Sequence, residues 1–517
     1  MVHRGPSRGC ATCRKRKIKV GRTHHSPARE LLTVGQCDEV EPACSYCIKK
    51  GVVCPGYRTL FEVSWRDQNK VAENRVRRQK NTVDKLTEKG FSTSQEIIST
   101  KPTTPKCVPQ DFTSYAIHFF LSSYILLPRS HDNRRSFIDF LYPIYLESKP
   151  ASPLTPALTA VGSLLLEAWS LLKPDAPSSF SRTQYLKAMA SLRRSLQNTK
   201  TVGDDVLTAA LLLDMYESVR AFLWSKPIVE SAHVIGVTAM IKQRSRCLDV
   251  SATSKMLSLG ARHHVIHRAL HANEPMPEVL SDCIELHEDV SRNTALRLDE
   301  LDITLANICA AVSRISNNDE SQERALDLLS KAYELDQQYQ SWADTAPSGW
   351  IVQVSGLECI PLSVQRSGLY QDHCHVYQSI FVAHTFNTYR VSRIKLQEAI
   401  VVCLAHLGDN ATNTATLAAY ATIQRLADDI CASVPYHLGN RMNFARIDDK
   451  AVEYPHLRGQ LKTDDEHIAG AAAMGGWSLA AQLVKVLKLQ TPLRDGQRQW
   501  IGGQLQRLVR IYTSPAM

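Results

Sequence analysis

From about residue 111 to 517, apolar residues recur every three or four positions, in segments ten to twenty-five residues long. The strongest are 157–172, 206–218 and 380–404. That period lines one face of a helix with apolar side chains, so the stretch predicts amphipathic and buried helices. Period-two alternation and paired turn dipeptides are nearly missing, so strands are not expected. Glu167 interrupts the first of these runs, and Asp214 and Glu217 the second, so none is expected to span a membrane. No segment repeats at the spacing of a regular solenoid. The stretch is long enough for one large core or two lobes.

Before residue 111 the helical period fades. Residues 92–111 are rich in Ser, Thr, Pro and Lys and predict a flexible linker. Val76 and Val83 sit one heptad apart with Leu86 beyond them. Two heptads fall short of the three or four that a coiled coil needs, so 59–110 is assigned as a basic linker with at most a weak coiled coil.

Charge separates the two ends of the chain. Residues 1–80 hold 18 Lys and Arg against 7 Asp and Glu, a net of +11, which leaves −1 for the remainder. A positive excess confined to one end is the electrostatic footprint of nucleic-acid binding. The runs Arg14–Lys19 and Arg75–Lys80 also suit nuclear import signals.

Six cysteines give that basic end its chemistry. Cys10, Cys13, Cys37, Cys44, Cys47 and Cys54 form a C-x2-C pair, a long gap, then C-x6-C-x2-C-x6-C. Thiolates two residues apart can wrap one tetrahedral zinc. A disulfide-rich secreted module fits poorly, because no apolar leader stretch precedes the cysteines and the other eight are scattered singly. Arg14, Lys15, Arg16, Lys17 and Lys19 follow the first pair directly, at hand for DNA phosphates and guanine edges.

Residues 10–54 resemble the binuclear zinc cluster of fungal Zn2Cys6 transcription factors, and depart from its pattern at one place. Between Cys13 and Cys37 lie 23 residues where the family has six, an excess of 17. Removing Val20 to Gln36 joins Lys19 to Cys37 and restores an uninterrupted family motif. Val20 needs a codon starting GT, Gln36 can be CAG, and Leu32-Thr33 can encode a branch-point sequence. Residues 20–36 are therefore expected to be a translated, unspliced intron. The alternative is a genuine loop insertion, which closure entropy would tolerate.

The resemblance implies two zinc ions sharing six thiolates. Carried over by position, Cys10, Cys13, Cys37 and Cys44 hold one ion, and Cys44, Cys47, Cys54 and Cys10 the other. It further implies a short helix after Cys13 whose end enters the major groove. Lys17, with Arg16 beside it, is the candidate for reading guanine in CGG-type triplets. Arg14, Lys15, Lys19, Lys49 and Lys50 are candidates for phosphate contacts.

Parts of the long stretch resemble the regulatory domain that often follows this cluster. They are Met215-Tyr216-Glu217 at the end of a Leu-rich helix, and His233 to Gly236 followed by Arg244, with Ser245 and Arg246 at the family's glycine position. Next come His384 to Ile394, with Phe386 for tryptophan, and Ser433 to Gly439 as a turn. These residues are read as helix packing and capping.

No catalytic signature stands out. His264, His267 and His271 share a helical face without an identifiable carboxylate partner, and Asp372-His373-Cys374-His375 carries no nucleophile signature. P-loop, Rossmann and GxSxG patterns do not occur.

The expected fold class is mostly α. It comprises a Zn2Cys6 DNA-binding domain at 1–58, the linker at 59–110 and an all-helical regulatory domain at 111–517. The expected function is that of a nuclear, RNA polymerase II sequence-specific transcription factor rather than an enzyme. Its partners would be double-stranded DNA, a second copy in a homodimer and transcriptional co-regulators, with no membrane. The alternative is a helical scaffold or paralogue whose interrupted cluster no longer binds DNA.

Overall fold

The computed structural model describes residues 10–16, 37, 43–55, 111–125, 134–168, 179–198, 201–224, 232–244, 251–280, 293–315, 320–408, 413–443, 451–457 and 465–513. The chain divides into two compact units, Met1–Pro105 and Lys106–Met517. Both are mostly α. The first contains two five-residue helices, α1 (Ala11–Lys15) and α2 (Ser45–Lys49).

The second unit is a helical body. In chain order it runs α3 (Phe112–Tyr124), α4 (Leu141–Glu147), α5 (Leu154–Ala168), α6 (Ser179–Asn198), α7 (Asp204–Trp224), α8 (Ala232–Arg244) and α9 (Ala252–Ala272). It continues with α10 (Thr294–Val312), α11 (Glu320–Asp344), α12 (Leu362–Arg366), α13 (Ile380–His406), α14 (Thr414–Leu438), α15 (Asp465–Gly470), a π-helical turn at Ala471–Gly475, α16 (Gly476–Leu487) and α17 (Gln497–Thr513). No described helix is long and apolar enough to cross a membrane.

Two hubs organise the body. Helix α5 packs against α3, α6 and α7, while α13 packs against α10, α11, α14 and α16. Both bury most of their circumference, and the polar residues that α13 buries, among them Asn387, Arg390 and Arg393, are therefore paired inside the body. One large core runs from Ile117 through Leu211 to Ala471, and a second joins α14, α16 and α17 around Ile430, Leu483 and Ile511. Helix starts are set by side-chain caps. Asp111, Ser251, Asn293, Ser379 and Asn413 each accept a backbone N–H from the first turn of the helix that follows.

Three local expectations are corrected. Met215-Tyr216-Glu217 lies inside α7, which runs on to Trp224 instead of ending there. Ser433 to Leu438 is the last part of α14, not a turn; Pro435 sits within the helix, which ends at Gly439 with φ 54°. A side chain at Gly439 would also strike the Glu453 carbonyl and the Tyr454 ring, so glycine is required there. Strands do occur. β1 (Gln353–Gly356) pairs antiparallel with β2 (His373–Val376), Ser355 opposite Cys374. Cys374, His375 and Val376 are all buried, so β2 shows no alternation to betray it.

The family-like residues of α13 are packing residues. Arg393 makes a two-pronged pair with Asp336 at 2.9 Å, and Arg390 donates to the Tyr377 hydroxyl, Asn387 Oδ1 and His375. Asn387 reaches across to Ser433 on α14 at 2.8 Å. These buried bonds join α11, β2 and α14 to one helix, and each polar group that leaves water gains a partner.

Candidate metal centre

Each half of the cysteine cluster begins with a thiol capping a short helix. Cys44 is the N-cap of α2, its sulfur accepting the Cys47 N–H at 3.4 Å, and Cys10 accepts the Cys13 N–H at the same distance just ahead of α1. The expected helix after Cys13 therefore starts earlier, at Ala11, because the cap belongs to Cys10. A third amide, that of Cys10, points at Cys37 Sγ, 3.4 Å away. Backbone N–H groups aimed at sulfur favour the thiolate form.

The six sulfurs form two overlapping groups of four. Cys10, Cys13, Cys37 and Cys44 make one and Cys10, Cys44, Cys47 and Cys54 the other, with the ligand atoms of each group within 4.8 Å of one another. Cys10 and Cys44 belong to both. Cys10 Sγ lies 3.7 Å from the sulfurs of Cys44 and of Cys47, and Cys13 Sγ lies 3.8 Å from that of Cys44. A disulfide would bring sulfurs to about 2.05 Å. Four sulfurs each about 2.3 Å from a zinc ion stand about 3.8 Å apart along the tetrahedron's edges. The donor set fits zinc.

Electrostatics give the same answer. Burial raises the Cys10 thiol, yet the Cys13 amide and the thiols of Cys13, Cys47 and Cys44 bring it down to about 6. Burial pushes Cys44 up to about 12 despite the Cys47 amide, and Cys13 and Cys47 are also raised, burial being the main cause. One thiolate forms readily and its neighbours then resist ionising. A shared cation removes that conflict, because every sulfur then faces positive charge.

Among the described residues of this unit, nothing else supplies a core. Among its described residues the buried side chains are Cys10, Cys13, Cys37, Cys44 and Cys47, with Tyr46, Val52 and Cys54 partly covered, while Ile48 and Val53 are exposed. Metal binding is the available source of folding free energy.

Of the residues proposed to touch DNA, Lys15 and Arg16 are exposed at the end of α1, and Lys49 and Lys50 are exposed at the end of α2. Arg14 belongs to α1, but its side chain lies outside the described residues, as do Lys17, Lys19 and the whole of 20–36.

The helical unit holds a histidine–carboxylate group that differs from the face of His264, His267 and His271. His264 pairs with the Asp214 carboxylate at 2.7 Å and His263 with that of Asp299 at 2.9 Å, so carboxylate partners do exist, and His267 packs edge-on to the His263 ring. His263, His267 and Asp299 together offer ligand atoms within metal-binding range of one another. The spacing of 263 and 267, one helical turn, was the available signal; Asp299 comes from α10 and left none. On β2, burial raises Cys374 to about 12 and His375 is lowered to about 3, so neither is poised for acid–base or nucleophilic work.

The chain matches no family model, no curated protein and no solved structure. Its cysteine cluster can bind zinc, and that is compatible with a zinc-dependent DNA-binding role.

Proposed function

We propose that this protein is a nuclear, sequence-specific DNA-binding transcription regulator. Its cysteine cluster would hold two zinc ions and present the basic segment Arg14–Lys19 to the major groove. The observation that carries this reading is the pair of four-sulfur groups sharing Cys10 and Cys44, in a unit whose described buried side chains are all cysteine. Cys10, Cys13, Cys37 and Cys44 would hold one ion, and Cys10, Cys44, Cys47 and Cys54 the other. Zinc would organise the fold and take no part in any reaction. The basic residues would then divide by role. Lys15 and Arg16, at the exposed end of α1, together with Lys49 and Lys50, would meet phosphates or the groove edge, and Lys17 would donate to guanine O6 and N7. The excess of +11 in residues 1–80 would steer the chain to DNA and make binding fall with salt.

The experiment is fluorescence anisotropy of the full chain, and of the chain lacking residues 20–36, on a duplex containing CGG triplets and on a scrambled duplex. The reading expects a preference for CGG that disappears with a zinc chelator. If neither protein prefers CGG in zinc, it acts as a helical scaffold without DNA recognition.

A further inference from the structure

A cavity of about 630 Å³ opens between α9, α13 and α16, a volume typical of small-molecule sites. Its lining is charged in one direction only. Arg268, Lys395, Lys485 and Lys488 line it with five histidines, and no described lining residue is Asp or Glu. The chain beyond residue 80 has a net charge of −1, so this wall departs sharply from its surroundings. Two of the cations have neighbours outside the cavity lining or at its edge. Lys485 pairs with Glu398 at 2.7 Å and Lys395 donates to Asn273 at 2.6 Å. Arg268 and Lys488 pair with no carboxylate among the described residues.

The cations feel one another. His271 is lowered by burial and then by Arg268, Lys395, Lys488 and Lys485, and Lys395 is itself lowered by burial, with Lys485 adding to the effect. An anion placed among them would reverse both shifts. One polar atom of the wall also waits for a donor. Gln482 is buried, and its Oε1 has no hydrogen-bond partner, while its Nε2 makes a long 3.4 Å contact to His384. A π-helical turn at Ala471–Gly475 precedes α16, the helix that brings Gln482 and Lys485 to the cavity. At the same point Gly476 lets α16 seat against Tyr512 and Leu508, which any side chain there would strike.

A metal is the competing occupant, through His263, His267 and Asp299. The surroundings oppose it. Asp299 Oδ1 is already shared between His263 Nδ1 at 2.9 Å and the buried Arg135 guanidinium at 3.3 Å. A dication there would meet Arg135 on one side and the cationic wall on the other.

We propose that this cavity binds a small hydroxylated organic anion carrying at least two negative charges. Arg268, Lys395, Lys485 and Lys488 hold its acid groups, and Gln482 Oε1 accepts a hydrogen bond from its hydroxyl.

The test is isothermal titration calorimetry on the full chain with citrate, glucose 6-phosphate, inorganic phosphate and sodium chloride. Citrate and glucose 6-phosphate distinguish a carboxylate source from a phosphate source. Saturable binding of at least one of these two is expected, with inorganic phosphate weaker and chloride giving none. Lys395→Gln and Lys488→Gln should each weaken it about tenfold, as expected for losing one charge-assisted contact, and Lys331→Gln on α11 should leave it unchanged. Lys488 is exposed and Lys395 half-buried at the cavity wall, and circular dichroism checks that both variants retain the fold. No saturable binding of citrate or glucose 6-phosphate at millimolar concentration, or equal binding by all three variants, overturns the proposal. So does a zinc equivalent that is lost in His263→Gln from a chain binding neither anion, because the cavity is then a metal site.

Discussion

Cys44→Ser and Cys54→Ser remove the same chemical group, yet the structure assigns the two sulfurs different weights. Cys44 belongs to both four-sulfur groups and Cys54 to one. Structural zinc sites release about 10–16 kcal/mol on binding, or about 3–4 kcal/mol per thiolate if four ligands share it evenly. Losing Cys54 then weakens one ion by two to three orders of magnitude and leaves the other with four sulfurs. Losing Cys44 weakens both ions by that factor, about 6–8 kcal/mol in all. The serine hydroxyl can still cap α2 by accepting the Cys47 N–H, so the difference between the two variants reports metal binding and not helix capping.

Zinc released from the purified full chain and measured with a chromogenic chelator checks this, alongside circular dichroism. Wild type should carry two equivalents in the cluster, Cys54→Ser about one and Cys44→Ser close to none. Cys10→Ser should match Cys44→Ser, because Cys10 is the other shared sulfur, and Cys13→Ser should match Cys54→Ser. If all four variants lose zinc equally, the sulfurs are not divided into two overlapping groups and the shared-thiolate reasoning fails.

Further expectations concern DNA, the long gap and pH. Lys17→Ala should reduce preference for CGG by about 1–3 kcal/mol, whereas Lys15→Ala should weaken all duplexes alike and lower the salt slope by about one; uniform effects from both would misplace the reading residue. Deleting residues 20–36 shortens the loop to Cys37 and removes about 1.2 kcal/mol of closure entropy, besides the competing ligands His24 and His25. The shortened chain should bind CGG duplexes much more tightly, and equal affinity from both, with transcripts retaining the segment, would make it a real loop. Asp302→Asn addresses the helical core. Burial raises Asp302 from 3.8 to about 7, against the hydrogen bonds of Tyr339 and Ser392. The native state keeps a proton that the unfolded chain gives up, so this contribution is full below the unfolded value and is lost as pH rises toward 7. Stability of the variant relative to wild type should rise between pH 4 and pH 7 by up to about 4 kcal/mol in urea melts; parallel curves would show that Asp302 is ionised throughout.

Helices were the legible part of the fold, because their period is local. The apolar run 380–404 became α13 almost unchanged, Ile380–His406, with Ser379 supplying the cap. Ends were read less well where the ending is tertiary. Tyr216 was taken to close its helix, but α7 continues to Trp224, since Tyr216 is held by Tyr185 stacking and by Ser181 from α6 rather than by any terminator. Proline misled at α14. Pro435 sits within the helix, and the chain turns four residues later, where Gly439 alone can adopt the required φ beside Tyr454. The short pair β1–β2 gave no period because both faces of β2 are covered.

The two sites differ in legibility for the same reason. A thiolate cluster whose described surroundings hold no other buried side chain concentrates its ligands along a short segment, and helix caps fix their spacing, so Cys10-x2-Cys13 and Cys44-x2-Cys47 announce themselves. The cationic cavity needs no such spacing. Arg268 stands more than a hundred residues from Lys395 and more than two hundred from Lys485 in sequence, and the three meet only because α13 packs against α16 and α9 closes the wall. Each alone is an unremarkable charge on an amphipathic helix; what marks them is the lack of a lining carboxylate, a property of the assembled wall that no single segment carries. A half-buried set of like charges around one cavity is unfavourable unless something offsets it. Lys485 has Glu398 and Lys395 has Asn273, but Arg268 and Lys488 meet no carboxylate among the described residues. That imbalance is what the calorimetry reads, and it is independent of whether the zinc unit reads DNA.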